Sequence, residues 1–499
     1  MNDQAATYPD LPERQKGSWL RLLAFFGPGA IIASVTVGSG ETVFASRGGA
    51  VFGYTLMWCF VASALFKGIQ VYSGSRFMVL TGRHPLESWR ELPGPDGWFV
   101  WLLAVLTIFW MPFWLGPGLP VMLGDFTNWI VGFRLDDVRL GEMTEAQIES
   151  HYATLKTWAR LWATLFIVVG VALTWFQTYG FLEKVQTVLV SLLLVCMLVA
   201  AISTHPDLVA LITGIFVPTP PAFEEWLIQK HGTAFSERSP WVEMGLYMGV
   251  IGGGTQDYFG YLGLLREKAW GLLGRNVHDG PPAEISDAED NLSRGRAWLK
   301  APMIDTGVSF ACVLVFTVCF LILGAAILHP NHEVPTGMNL LVVQADYLTH
   351  ADQSPALQMI LAFIYKTGIF FAFFGTIYGA YELYTWTTRE CLIAAMPRLR
   401  TVPLRRFRFW TLLWCAVPGI ALLWGLKGSP AKIVTPAALV GSGLTCGIWC
   451  FAILWSDRRH LPSALRMSTI LKVLVVLAGL FLCIYSGFGL YNYVLNLLK

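Results

Sequence analysis

The chain has 499 residues, 55% of them apolar and only 14% charged, with a formal net charge of +2. A soluble globular protein carries about 25% charged residues, so most of this surface cannot face water. The balanced charge, with no basic run or basic–aromatic stripe, gives no footing for a nucleic-acid partner.

Polar residues 1–21 lack the apolar core of a cleaved signal peptide and read as a cytosolic tail. Apolar stretches of about 20 residues then recur and read as membrane-crossing helices, because in lipid the backbone must satisfy its own hydrogen bonds. They are predicted over 22–46, 52–79, 99–131, 158–177, 181–203, 241–265, 303–328, 357–386, 409–426, 433–455 and 468–492, about eleven spans in all. Span 3 contains MPFWLGPGLP and is expected to bend. With the N-terminus in the cytosol, inward segments hold 23 Lys and Arg and outward segments 10. That bias selects this orientation and places the C-terminus outside. The expected setting is a bacterial inner or plasma membrane, with the bilayer itself as one partner.

Three connections are long. Residues 134–157 carry Thr144 with Gln147 three later, a capping-box pattern that predicts a short extracellular helix. Residues 204–240, with VPTPPAF, are expected to run irregularly outside, and 269–300 to form a charged, solvated cytosolic loop. The nine cysteines stand in apolar sequence and read as small buried hydrophobes.

Two spans are interrupted by glycine-rich polar sequence. Span 1 holds Gly38-Ser39-Gly40-Glu41, and span 6 holds Gly252-Gly253-Gly254-Thr255-Gln256-Asp257. Each glycine weakens a helix by about 1 kcal/mol relative to alanine, so both spans are expected to unwind there. Freed carbonyls at that depth need a cavity, an ion or a partner. Each break also carries one carboxylate, and an ionised group at the bilayer centre costs at least about 2.5–3.5 kcal/mol. Glu41 and Asp257 therefore call for a cation, a proton or a basic partner. A carboxylate capping a half-helix N-terminus is the structural alternative. The breaks lie five spans apart, as they would in inverted repeats over 22–203 and 241–455, followed by a loop and an eleventh span in 456–499. Paired breaks of this kind point to a midplane binding site.

Here the chain resembles the Nramp family of divalent-metal transporters. FGPGAIIASVTVGSGETVFAS is similar to that family's first span, and GYLGLLREKAWG, GFLEKVQTVLVSLLLV, LILGAAILHP and GTIYGAYELYTWTTRECL are similar to later segments. The resemblance implies an all-α, leucine-transporter-like fold of five plus five spans, with spans 1 and 6 broken and one span added. It also departs at the metal site. The family's Asp-Pro-Gly-Asn is met by Gly38-Ser39-Gly40-Glu41, its Met-Pro-His by Gln256-Asp257-Tyr258, and its span-10 Ser-Gln by Thr435-Pro436.

The substituted set is hard and oxygen-rich: Glu41, Asp257, the Gln256 amide and nearby carbonyls, with Thr255 alongside. It suits Mg²⁺, Mn²⁺ or Ca²⁺. Gly38, Ser39, Gly253 and Gly254 are expected to leave room for an ion that keeps some of its water. Lys67 in span 2 is expected either to couple to these acids or to form a structural ion pair; Tyr378 is expected to face the site or to pack. Glu382 is expected to meet the cytosolic vestibule, Lys366 to snorkel, and Asp305 to cap the start of span 7. No nucleophile elbow, phosphate loop or HExxH is present, so neither an enzyme nor a cofactor is expected; the cation is the transported substrate. Two other readings stay open: an amino-acid or other organic-solute transporter on the same fold, and a non-transporting membrane sensor.

Overall fold

A computed structural model describes residues 6–12, 22–38, 40–133, 143–176, 179–236, 238–274, 284–334, 340–343, 345, 355–426 and 430–498. Ser39 lies outside the described residues. Within them the regular structure is helical, apart from an isolated bridge between Ala6 and Ile285. Among the described residues seven helices are long and apolar enough to cross a membrane. Spans 1 and 6 fall outside that set because each is split into pieces shorter than 18 residues.

Both splits lie where the glycines predict them. Span 1 runs as a helix over Pro28–Thr36, turns at Val37 and Gly38, and resumes as a wide π-helical turn over Gly40–Ala45 leading into Ser46–Phe52. Span 6 runs over Pro240–Val250, breaks, and resumes over Thr255–Leu264. Gly252 and Gly253 take φ of +78° and +88°, a region that residues with a Cβ rarely enter. Span 3 is deformed locally at its proline-rich stretch. Between Trp98–Phe113 and Leu119–Ile130 lies a π-helical turn, Trp114–Gly118, with Pro112 and Pro117 supplying the missing N–H groups.

Several expectations are corrected. The capping box forms, Thr144 N–H donating to Gln147 Oε1 at 2.9 Å, but it opens no separate helix. It starts the 32-residue helix Glu145–Phe176, which continues into span 4 because nothing in between breaks it. The segment 204–240 holds helices at Leu208–Phe216 and Glu225–His231. The first is capped by Asp207, whose carboxylate accepts from Val209 and Ala210 N–H. The charged loop contains the helix Glu289–Trp298, whose Asn291, Leu292 and Trp298 are buried. Residues 6–12 of the tail dock there. The Tyr8 N–H donates to Asn291 Oδ1 (2.7 Å), the Tyr8 hydroxyl to the Leu80 carbonyl (2.8 Å), and Trp298 to the Pro9 carbonyl (2.8 Å).

Asp305 caps a helix, but not its own. It sits inside Lys300–Leu323, and its carboxylate accepts from the N–H groups of Gly27 (2.8 Å) and Gly29 (3.0 Å) and from the Tyr261 hydroxyl (2.7 Å). It thus serves the open end of the first half-helix of span 1, where Pro28 has no N–H to offer. Arg76 of Met57–Thr81 forms a buried ion pair with Asp457 at 2.6 Å, tying span 2 to span 10, while Asp457 also accepts from Met467 N–H.

Removing one partner of a buried pair leaves an uncompensated charge at a cost of about 3–5 kcal/mol. Arg76→Ala is therefore expected to lower thermal stability in detergent sharply, with the Arg76→Met/Asp457→Leu double variant recovering most of the loss; equal destabilisation by single and double variants would contradict this. Asp305→Ala is expected to cost about 1–3 kcal/mol by orphaning the span-1 N–H groups, read in the same melting assay.

Candidate functional site

A cut in a membrane helix leaves carbonyls on one side and N–H groups on the other with no partner in the chain direction. In span 6 the carbonyls are met one by one. Ser63 and Lys67 lie one turn apart on Met57–Thr81 and so share a face. The Ser63 hydroxyl donates to the Met248 carbonyl at 3.0 Å. The Lys67 ammonium donates to the carbonyls of Gly249 (2.8 Å), Ile251 (2.7 Å) and Gly253 (2.7 Å). The Gly253 N–H reaches the Val250 carbonyl at 3.3 Å, and the Tyr258 hydroxyl reaches that of Gly252 at 2.7 Å. The carbonyls that the sequence suggested as metal ligands are thus occupied, chiefly by the protein's own cation.

The carboxylates answer the N–H side. Glu41, on the π-helical turn of span 1, accepts from Gly252 N–H at 2.8 Å and is fully buried. Its other oxygen has no partner among the described residues. Asp257 is the third residue of its half-helix and accepts from Gly254 N–H at 2.8 Å, with the Gln256 amide donating to the same oxygen at 3.2 Å. Lys67 lies within electrostatic reach of both acids. In formal charge the three side chains sum to −1.

A cavity of about 40 Å³, lined mostly by buried residues, lies between the two breaks, room for a few waters or a bare ion. Asp257, Gln256, Gly253 and Gly40 line it, together with Thr36, Trp114, Thr376, Tyr384 and Ser442. Glu41 and Lys67 do not line it; they stand behind the break. Of the other predicted residues, Thr255 turns its hydroxyl to Thr445 (2.7 Å), away from the cavity. Thr435 is buried outside the lining, and span 10 presents Ser442 instead. Tyr378 is buried off the cavity because the wall is made by Thr376, Ala380 and Tyr384, at four-residue spacing on one helix face. Glu382 is paired with Arg408 at 2.7 Å, and Lys366 lies over the Trp129 ring at 4.2 Å from its centroid.

The glycines do not provide room. A Cβ at Gly40 would stand 2.7 Å from the Val250 carbonyl oxygen, one at Gly253 2.7 Å from Thr36 Cγ2, and ones at Gly38 and Gly254 would overlap Thr376 and Ser442. These residues bring the two broken backbones and their neighbours into contact. Sequence reasoning missed Ser442, although Val440-Gly441-Ser442-Gly443 repeats the Val37-Gly38-Ser39-Gly40 of span 1. Both tetrapeptides adjoin or enter π-helical turns, Gly40–Ala45 and Ala437–Leu444.

Ion pairs tie the span ends on either side. Glu243 takes Arg238 (2.8 Å) and Arg47 (3.2 Å) at one end. At the other, Arg266 bridges Glu87 (3.3 Å) and Glu390 (3.1 Å). Among the described residues no group of three or more His, Cys, Asp or Glu side chains is arranged to hold a metal.

The chain is similar to the divalent metal cation transporter MntH of Latilactobacillus sakei, 22% identical over 70% of this chain and 64% of that protein. It thus spans less than two thirds of the length of this and the other curated relatives first matched. In structure it is similar to the manganese transporter of Eremococcus coleocola, with a TM-score of 0.64 at 14% identity over 98% of this chain and 94% of that one. It is also similar to MhsT solved with L-phenylalanine, with a TM-score of 0.58 at 13% identity over 94% and 98%. At such identities the shared property is the fold, a leucine-transporter-like bundle with spans 1 and 6 broken. The model of the natural resistance-associated macrophage protein-like family matches residues 29–492, and the chain belongs to that Nramp family.

Proposed function

We propose that this chain is an integral membrane transporter, rather than an enzyme, and moves a divalent metal cation by alternating access around the breaks in spans 1 and 6. One observation carries the reading: in a chain of the Nramp family, Asp257 lines a cavity to whose wall both breaks contribute. Asp257, the Gln256 amide and the hydroxyls of Ser442 and Thr376 form a hard oxygen set that suits Mg²⁺, Mn²⁺ or Ca²⁺. Glu41 acts behind them, holding the Gly252 N–H and so the position of the break. The ion pairs on Glu243 and on Arg266 are the contacts that opening to either side would have to exchange. The tail side of the membrane is read as cytosolic, and the relevant membrane as the plasma membrane.

A second reading has one observation in its favour. With Lys67 within electrostatic reach of Glu41 and Asp257, the three side chains carry a single formal negative charge, which suits a singly charged solute such as an organic amine, and Trp114 and Tyr384 in the wall would contact an organic group.

Purified protein in liposomes is expected to take up Mn²⁺, Mg²⁺ or Ca²⁺, with and without a pH gradient setting the coupling. Asp257→Ala is expected to abolish that flux at unchanged expression, and Glu41→Gln to weaken metal affinity by about 10–100-fold, as loss of a supporting contact does. Normal uptake by both variants would sink the reading. Melting shifts with amines or amino acids and none with metals would favour the second.

A further inference from the structure

We propose that Lys67 is a tethered cation: its ammonium fills a carbonyl cup that a free co-transported ion would otherwise occupy, so that this chain works without one. The flux part of this inference rests on the transport reading; the binding part does not.

The geometry is that of an ion and its shell. Three backbone carbonyls from a span of five residues converge on one nitrogen at 2.7–2.8 Å, which engages all three N–H bonds an ammonium has. Rings of carbonyls are how channels replace the water around a monovalent ion. The carbonyl end of a broken helix is where transporters of this construction hold Na⁺ or H⁺. Here that position is taken by a side chain of another span, fully buried, with Glu41 and Asp257 close enough to be felt as counter-charges. An ordinary structural ion pair would seek a carboxylate oxygen directly; among the described residues the hydrogen bonds of Lys67 go to backbone carbonyls at the break and at the helix end before it. Gly252 lets the chain turn there, at φ +78°, so that the carbonyls on either side of it face the same nitrogen. A lysine in mid-membrane needs a reason to persist, and replacing a diffusible ion supplies one.

The test uses the full chain, once in liposomes for Mn²⁺ uptake and once in detergent for melting temperature, in choline, Na⁺, K⁺ or methylammonium chloride. The wild type is expected to show the same uptake and melting temperature in all four salts. Lys67→Ala in choline is expected to lose about tenfold or more of its uptake and to melt early. Methylammonium, K⁺ or Na⁺ is expected to restore both saturably, because each fits the vacated cup and choline does not. Lys67→Met fills the space with an uncharged chain and is expected to respond to none of them. Wild-type uptake that requires Na⁺ or K⁺ would overturn the proposal, as would a Lys67→Ala melting temperature indifferent to the cation. If Lys67→Ala yields no folded protein in choline, it must do so in K⁺ or methylammonium; failure in every salt while Lys67→Met folds would also overturn it. A cation-dependent melting temperature in a protein that moves no metal would leave the cup standing and remove the transport reading.

Discussion

A helix cut within a membrane span exposes carbonyls that the lipid cannot solvate, and the rest of this structure is arranged around how those carbonyls are satisfied. In span 6 the answer is a lysine from the next packed helix, helped by Ser63 and the Tyr258 hydroxyl. Each unsatisfied polar group in hydrocarbon would cost several kcal/mol. The ammonium settles three at once, and in doing so it ties span 2 to the end of the first half-helix of span 6 and to the break that follows it. The two acids then complete the balance from the N–H side, Glu41 from across the gap and Asp257 from its own first turn. The break is therefore held open by charge rather than merely permitted by glycine.

Glycine has a different part in it. The positive φ at Gly252 and Gly253 lets the chain reverse without a Cβ clash, but at Gly38, Gly40 and Gly254 the gain is contact. Span 1, span 6, span 8 and span 10 meet there at distances that a methyl group would prevent. In lipid, where helices gain little from hiding apolar surface, such backbone-close packing supplies much of the association energy. The cost is space, and the cavity left measures about 40 Å³.

The supports of the site are also borrowed from distant parts of the chain. Asp305, far along in span 7, caps the first half of span 1, and Tyr261, from the second half of span 6, donates to the same carboxylate. One acid thus fixes the relative height of both broken spans. Arg76 and Asp457 do the equivalent for spans 2 and 10. Both are long-range contacts of a buried carboxylate, one to neutral donors and one to a guanidinium, and they lock geometry because losing the partners leaves a bare charge in a poor solvent.

The linear chain determined a good deal on its own. Apolar runs, the glycine clusters of spans 1 and 6 and their lone carboxylates were enough to expect an all-helical membrane protein with two broken spans, because helix periodicity, glycine's backbone cost and the expense of a buried charge act locally. The capping box at Thr144 was legible for the same reason, although the length of the helix it begins was not. What only the tertiary structure decided is who meets whom. Nothing local says that Lys67 lands on Gly249, Ile251 and Gly253, that Asp305 caps another helix, that Ser442 rather than Thr435 reaches the cavity, or that Tyr378 lies on the wrong face while Thr376 and Tyr384 line it. Those outcomes depend on the rotation and height of packed helices, which are set by the sum of many contacts between residues far apart in the chain.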